Sequence, residues 1–158
     1  TEFLLERGFA VYAVDISSKS VDVMNWRFAK YDNFYGQVAD MEKLPFDGDT
    51  FDMVCSAGSL SYGDQVIVRN EIYRVLKRGG AFISLDSLNN NPIYRINRYV
   101  HYLRGNRSRG TLQRMPTLSL IEAYASNFSS VETQYFGSIT WLFPVLNRFL
   151  NEDIVMRI

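Results

Sequence analysis

The run Phe9-Ala10-Val11-Tyr12-Ala13-Val14 holds no charged side chain and stops at Asp15. An apolar stretch of this length between turn signals suits a strand of a parallel sheet covered on both faces. Such a strand constrains the chain beyond it, because its parallel neighbours are reached only through crossover connections, usually helices. The next residues supply one. Ser17 or Ser18 is placed to cap a helix of about ten residues, and Val21, Met24 and Phe28 give it an apolar stripe.

The same alternation continues. Tyr35 to Ala39 reads as a second strand ending in Asp40, and Leu44-Pro45-Phe46-Asp47-Gly48-Asp49 as a loop rich in breaker residues. Phe51 to Ser56 is a third strand, followed by a Gly/Ser-rich loop from Ala57 to Asp64. A helix over Gln65 to Lys77 should turn Val66, Ile72, Val75 and Leu76 inward, and Arg78-Gly79-Gly80 should end it with a tight turn into a fourth strand, Ala81 to Leu85. This order predicts an α/β fold with a parallel sheet covered by helices. After Ser87 the pattern changes. Residues 88–117 read as an inserted, lid-like segment, 118–127 as a helix, and Val131–Tyr135 with Ile139–Phe143 as a final strand pair. The expected organisation is one domain over 1–158, with a ligand-binding core at 1–87, the insertion at 88–117 and a C-terminal part at 118–158.

Length and composition agree: 158 residues, 47% hydrophobic and 22% charged, suffice for one packed core. Cys55 is the only cysteine, so neither an internal disulfide nor a cysteine-built metal site can form. That fits a reducing, cytoplasmic setting, and no metal is expected. No apolar run approaches the roughly 20 residues of a membrane span, and no signal-peptide pattern starts at Thr1.

In open α/β sheets, ligands bind beyond the carboxyl ends of the strands. Asp15, Asp40 and the Ser56-Ala57-Gly58 loop all fall there. A carboxylate at such an end can accept hydrogen bonds from both hydroxyls of a ribose. Each of these acids, taken singly, also reads as a helix cap or turn residue.

Taken in order, Val14-Asp15-Ile16-Ser17, Asp40-Met41-Glu42-Lys43-Leu44-Pro45-Phe46, Phe51-Asp52-Met53-Val54 and Glu71-Ile72-Tyr73-Arg74-Val75-Leu76-Lys77-Arg78-Gly79-Gly80 resemble the class I S-adenosylmethionine (SAM)-dependent methyltransferases. The resemblance covers roughly residues 1–87. It implies a Rossmann-like sheet, mostly parallel with an antiparallel last strand, and SAM as cofactor. Asp15, with Ile16 beside it, would bind the SAM ribose. Asp40 and Met41 would contact the adenine, and Ser56, Ala57 and Gly58 would line the pocket beside the methionine moiety. The family's glycine-rich loop comes after its first strand, and both should precede Thr1. Thr1 to Phe9 reads instead as the last turns of a helix ended by Gly8. The chain is therefore expected to be a fragment lacking that strand and loop.

Methyl transfer from SAM needs donor and acceptor held in line, and a base if the acceptor is a hydroxyl. Asp64, Asp86 and His101 are the candidates. For the acceptor, the insertion is informative. Arginines 95, 98, 104, 107, 109 and 114 lie between Ser87 and Ile121 with no Asp, Glu or Lys, so the zero net charge of the chain hides a block of +6. Asn91-Pro92 makes a helix start. Ile93, Ile96, Val100 and Leu103 then fall on one face, with Arg95, Arg98 and Tyr102 opposite as candidate substrate-binding residues. Arginine suits planar recognition of phosphate or carboxylate. The expected partner is a small-molecule or glycan acceptor bearing phosphate, methylated on a hydroxyl oxygen, or else an anionic membrane surface in peripheral contact; a solvated basic face is the plainer reading. No nucleic-acid-binding motif is present, and no nucleic-acid partner is expected. A looser resemblance, through Asn91–Arg95, Arg114–Pro116 and Tyr135–Ser138, is to methyltransferases of bacterial surface-polysaccharide biosynthesis. Two other classes remain open at the level of sequence: an NAD-dependent oxidoreductase or epimerase, with Asp15 on the NAD ribose, and a catalytically inactive methyltransferase fragment acting as a binding module.

Overall fold

Gly8 adopts φ +81° and donates its amide to Leu5 O at 2.9 Å, which closes the short helix α1 (Glu2–Leu5) and releases the chain into a strand. The computed structural model describes residues 1–89, 92–105, 110 and 114–135, with residues 92–94 described by their backbone alone. In these, β1 (Val11–Asp15) is followed by α2 (Ser18–Arg27), β2 (Phe34–Val38), β3 (Phe51–Ala57), a 3-10 turn (Leu60–Tyr62), α3 (Gln65–Val75), β4 (Leu76–Leu85), α4 (Pro92–Leu103) and α5 (Leu118–Ala125). The expected β/α alternation is present, and the expected helix starts hold. Ser17 caps α2 by accepting from Ser20 N at 3.3 Å, and Thr117 caps α5 by accepting from Leu120 N at 3.3 Å.

The strands form two parallel pairs. β1 pairs with β2 in the register Val11↔Phe34 to Asp15↔Val38, and β3 pairs with β4 from Phe51↔Leu76 to Ala57↔Leu85. The α2 helix covers one face of the first pair, burying Val21 and Phe28. It approaches so closely that a Cβ on Gly36 would lie 2.3 Å from Asn25 Oδ1. Beneath the second pair, Leu60, Val68, Ile72, Leu76 and Tyr124 make a buried cluster, joined by Val54 and Phe82 from the strands and by Met41. Four rings, Tyr12 and Tyr35 stacked at 4.7 Å with Phe46 and Phe51 edge-on, connect the two pairs near the amino ends of the strands.

Several expectations are corrected here. β1 is not covered on both faces. Tyr12 is 47% exposed even with Tyr35, Phe46 and Phe51 against its ring, and Met53, Ile83 and Leu85 are exposed on β3 and β4 likewise. On α3 the inward residue is Val68, at the i−4 position from Ile72, while Val66 faces solvent. β4 begins at Leu76 directly after α3, so Gly79-Gly80 forms a bulge within the strand rather than a turn before it. Residues 77–80 are looped out against Asp52, with Gly79 at φ +79°. Residues 131–135 make no strand pairing, and both Val131 and Tyr135 are exposed; a strand needs a partner, and the expected one, 139–143, lies outside the described residues. So do Asn91, Arg107, Arg109 and 136–138, and with them any view of an antiparallel last strand.

The α4 helix starts at Pro92 as expected, but it does not turn its expected apolar face inward as a whole: Val100 is half-buried. Arg98 is buried, while Ile96 and Leu103 are exposed. The guanidinium of Arg98 donates to Leu88 O at 3.1 Å, which fixes Arg98 toward the body of the protein, while Arg95 stays exposed.

Candidate strand-end site

Because β1 and β2 run parallel, as do β3 and β4, each pair ends its strands on one side, and each end carries a polar group. Asp15 closes β1. Its Oδ1 accepts from Ser17 N at 2.8 Å, forming the turn that starts α2, while no hydrogen bond to its Oδ2 occurs among the described residues. The carboxylate is half-buried, and Ile16 beside it is 73% exposed. Across the ladder Ala39 N donates to Asp15 O at 3.1 Å, which brings Asp40 to the same rim. Asp40 is exposed, with Oδ1 accepting from Glu42 N at 2.9 Å. One oxygen of each acid thus shapes its own turn, leaving the other for a ligand.

The loop after β3 comes close to this rim through side chains that sequence patterns do not single out. Glu42 Oε1 accepts from Asp64 N at 2.7 Å. A Cβ on Gly63 would lie 3.1 Å from Met41 Sδ, so the two loops are in contact. Ser56 Oγ and Ser59 Oγ share a hydrogen bond of 2.8 Å, Gly58 N donates to Leu85 O at 2.9 Å, and Gly58 sits at φ +68°, where a side chain is disfavoured by the backbone rather than by crowding. Asp15, Ile16, Asp40, Met41, Ser56, Ala57 and Gly58 therefore all lie at the carboxyl ends of the strands. Met41 faces partly into the core rather than wholly into solvent.

The three acid–base candidates separate. Asp64 caps α3, its Oδ1 accepting from Val66 N and Ile67 N at 3.0 and 3.2 Å, so that oxygen is committed to the helix. His101 is half-buried on α4. Asp86 comes directly after β4. It accepts from Ser84 Oγ at 2.9 Å and from the Leu60 amide, and burial pushes its carboxyl above the usual range, outweighing both bonds. It lines an open groove of about 1850 Å³ that also includes Gly58, Leu60, Arg98 and Tyr124. Of the substrate candidates, Arg98 holds Leu88 O, Arg95 is exposed, and Tyr102 is half-buried with its ring 6.1 Å from that of Tyr99. The three are therefore not gathered on one surface. Among the described residues no His, Cys, Asp or Glu side chains gather to hold a metal, and no helix is long and apolar enough to cross a membrane.

A second polar group underlies the rim. Glu71 Oε2 accepts from Leu44 N at 2.8 Å, and Arg74 donates to Leu44 O at 3.0 Å and Phe46 O at 2.6 Å while paired to Glu71 at 2.8 Å. These two residues of α3 clamp the end of the loop that carries Asp40. Their i, i+3 spacing is visible in the sequence; their target is not.

Comparison with known proteins identifies the family and the fold. A methyltransferase domain family model matches residues 1–84. A sterol 4-C-methyltransferase of Caenorhabditis elegans is 31% identical over 148 residues, covering 89% of this chain and 40% of its own length. Among solved structures, the YcgJ protein of Bacillus subtilis superposes with a TM-score of 0.59 at 26% identity, over 73% of this chain and 50% of that one. A geranyl diphosphate C-methyltransferase of Streptomyces coelicolor, solved with Mg2+, geranyl diphosphate and S-adenosylhomocysteine, gives 0.64 at 18% identity, over 80% and 47% respectively. The chain thus spans half or less of the length of these proteins.

Proposed function

We propose, from the premise that this chain belongs to the methyltransferase domain family, that it binds SAM at the carboxyl ends of β1, β2 and β3 and takes part in methyl transfer to a small-molecule acceptor. The observation that carries this is the pair of strand-end carboxylates, Asp15 and Asp40, each with one oxygen committed to its own turn. Asp15 would accept from the ribose hydroxyls, Asp40 would accept from the adenine amine, and the Ser56–Gly58 turn would border the methionine end. Bound SAM would supply an activated methyl group for in-line displacement. What the protein's own residues contribute is position, and a base where the acceptor needs one. Family membership favours this over an NAD-dependent reaction, since the matched span includes the Asp40–Phe46 loop and the Glu71–Gly80 run.

For the acceptor, the reading from sequence is a hydroxyl oxygen of a small molecule or glycan, with Asp64, Asp86 and His101 as candidate bases, and of these Asp86 is the one we propose. Its half-buried carboxyl, raised by burial, supports a base that works nearer neutrality than an ordinary aspartate. A carbon acceptor on an isoprenoid is the second reading, favoured by the names of the sterol and geranyl diphosphate methyltransferases to which the chain is similar. The lone Cys55 supports a cytoplasmic setting for either.

The test is a thermal-denaturation series with S-adenosylhomocysteine and, in parallel, NAD. A ligand that binds only the folded state adds about 2.7 kcal/mol at a hundredfold excess over its Kd. S-adenosylhomocysteine should raise the Tm, and Asp15→Ala should weaken its Kd about tenfold or more, the worth of a charge-assisted hydrogen bond. A rise with NAD alone, or equal binding by Asp15→Ala, would overturn the proposal.

A further inference from the structure

The exposed apolar stripe of α4, opposite the buried Arg98, suits a function separate from methyl transfer. At about 100° per residue, Ile96, Tyr99 and Leu103 share an arc about 60° wide, and all three are exposed, at 66%, 56% and 66%. Arg95 falls to one side of this stripe and Arg104 to the other, both exposed. Arg98 lies on the far side, buried and bonded to Leu88 O. A helix of a soluble domain normally turns its apolar stripe to the core. Here the fold fastens an arginine inward and presents the stripe outward, flanked by cations.

We propose that α4 is an interfacial anchor that lays Ile96, Tyr99 and Leu103 into the headgroup region of an anionic phospholipid surface, with Arg95 and Arg104 on the lipid phosphates. The chemistry favours lipid over a protein partner. Residues 88–120 contain no acid, and the two arginines that flank the stripe, Arg95 and Arg104, are both exposed, so the charge complementarity of the stripe's borders is with anions. An amphipathic helix with an apolar stripe, a tyrosine and flanking arginines is the composition that binds in the plane of such an interface. Arg98 holds the helix at the angle that keeps the stripe outward.

Flotation with vesicles tests this, using equal parts of phosphatidylglycerol and phosphatidylcholine against phosphatidylcholine alone. The protein should bind the anionic vesicles, and binding should fall as salt rises. R95Q/R104Q should lower partitioning about 30-fold, the effect of two basic residues at an anionic surface, whereas R95K/R104K should stay near the parent. I96Q/L103Q should lower it about tenfold or more. All these positions are exposed, so circular dichroism and melting should match the parent. Equal partitioning to both vesicle types, or parent-like binding by I96Q/L103Q, overturns the proposal. So does a concentration-dependent dimer that I96Q/L103Q abolishes, since a second copy would then cover the stripe. None of these outcomes depends on SAM binding.

Discussion

Asp15 and Asp86 both come at a strand end, yet their surroundings give them different work. Asp15 keeps one oxygen on Ser17 N and the other toward the rim, which suits a group that accepts hydrogen bonds from a ligand. Asp86 is pushed up by burial against only two donors, Ser84 Oγ and the Leu60 amide. Its folded state favours the protonated form, so its contribution to stability is full below the ordinary value of 3.8 and is lost as pH rises through the raised folded value. Asp86→Asn, which keeps an acceptor for Leu60 N, should remove that dependence, so that urea midpoints of parent and variant converge at low pH and separate in the variant's favour above it. If Asp86 is the base, methylation by the parent should rise over the same interval, and the variant should lose at least about a hundredfold in kcat. A carbon acceptor needing no base at this position would leave kcat nearly unchanged. The strand-end acids were legible because an apolar run ending in Asp is a local pattern. The distinction between Asp64 as a cap and Asp86 as a half-buried acid was not, since it depends on Leu60 and the groove wall.

At the scale of elements, α3 does more than cover the sheet. Glu71 and Arg74 hold three backbone groups of the Leu44–Phe46 loop, and Arg74 keeps the Glu71 carboxyl below its ordinary range. Glu71 therefore stabilises the fold above about 4.5, and that contribution disappears as pH falls through its lowered folded value. Glu71→Ala leaves Leu44 N unpaired and Arg74 without its carboxylate, so it should cost about 1–3 kcal/mol in urea denaturation at neutral pH. Amide exchange should quicken first at Leu44. The elements themselves were mostly readable, with α2 starting at its serine cap, α4 at Pro92, and α3 and α5 where the sequence places helices from 65 and 118. The facing of α4 was not. Its apolar periodicity is genuine, but whether that stripe turns inward depends on what receives it, and Leu88 O receives Arg98 instead.

In the whole molecule, the two strand pairs meet through Tyr12, Tyr35, Phe46 and Phe51 at one end and through the Glu42–Asp64 bond at the other. Because the linkage is concentrated in a few rings, Phe51→Ala should cost about 2 kcal/mol, less than a fully buried Phe→Ala. It should also make unfolding less cooperative, with amide exchange in β1–β2 and β3–β4 no longer coincident. An unchanged, single transition would mean that other contacts join the pairs.

The sequence by itself determined the α/β class, the order of β1 to β4, the helix starts and the acids at the strand ends, because each is written in local periodicity, capping and turn chemistry. Only the tertiary structure decided which oxygens stay available, that Glu42, Glu71 and Arg74 brace the rim, that Asp86 is pressed into a half-buried position, and that α4 faces outward. Those outcomes rest on contacts between residues tens of positions apart, whose energies depend on burial and partner geometry that no local pattern encodes.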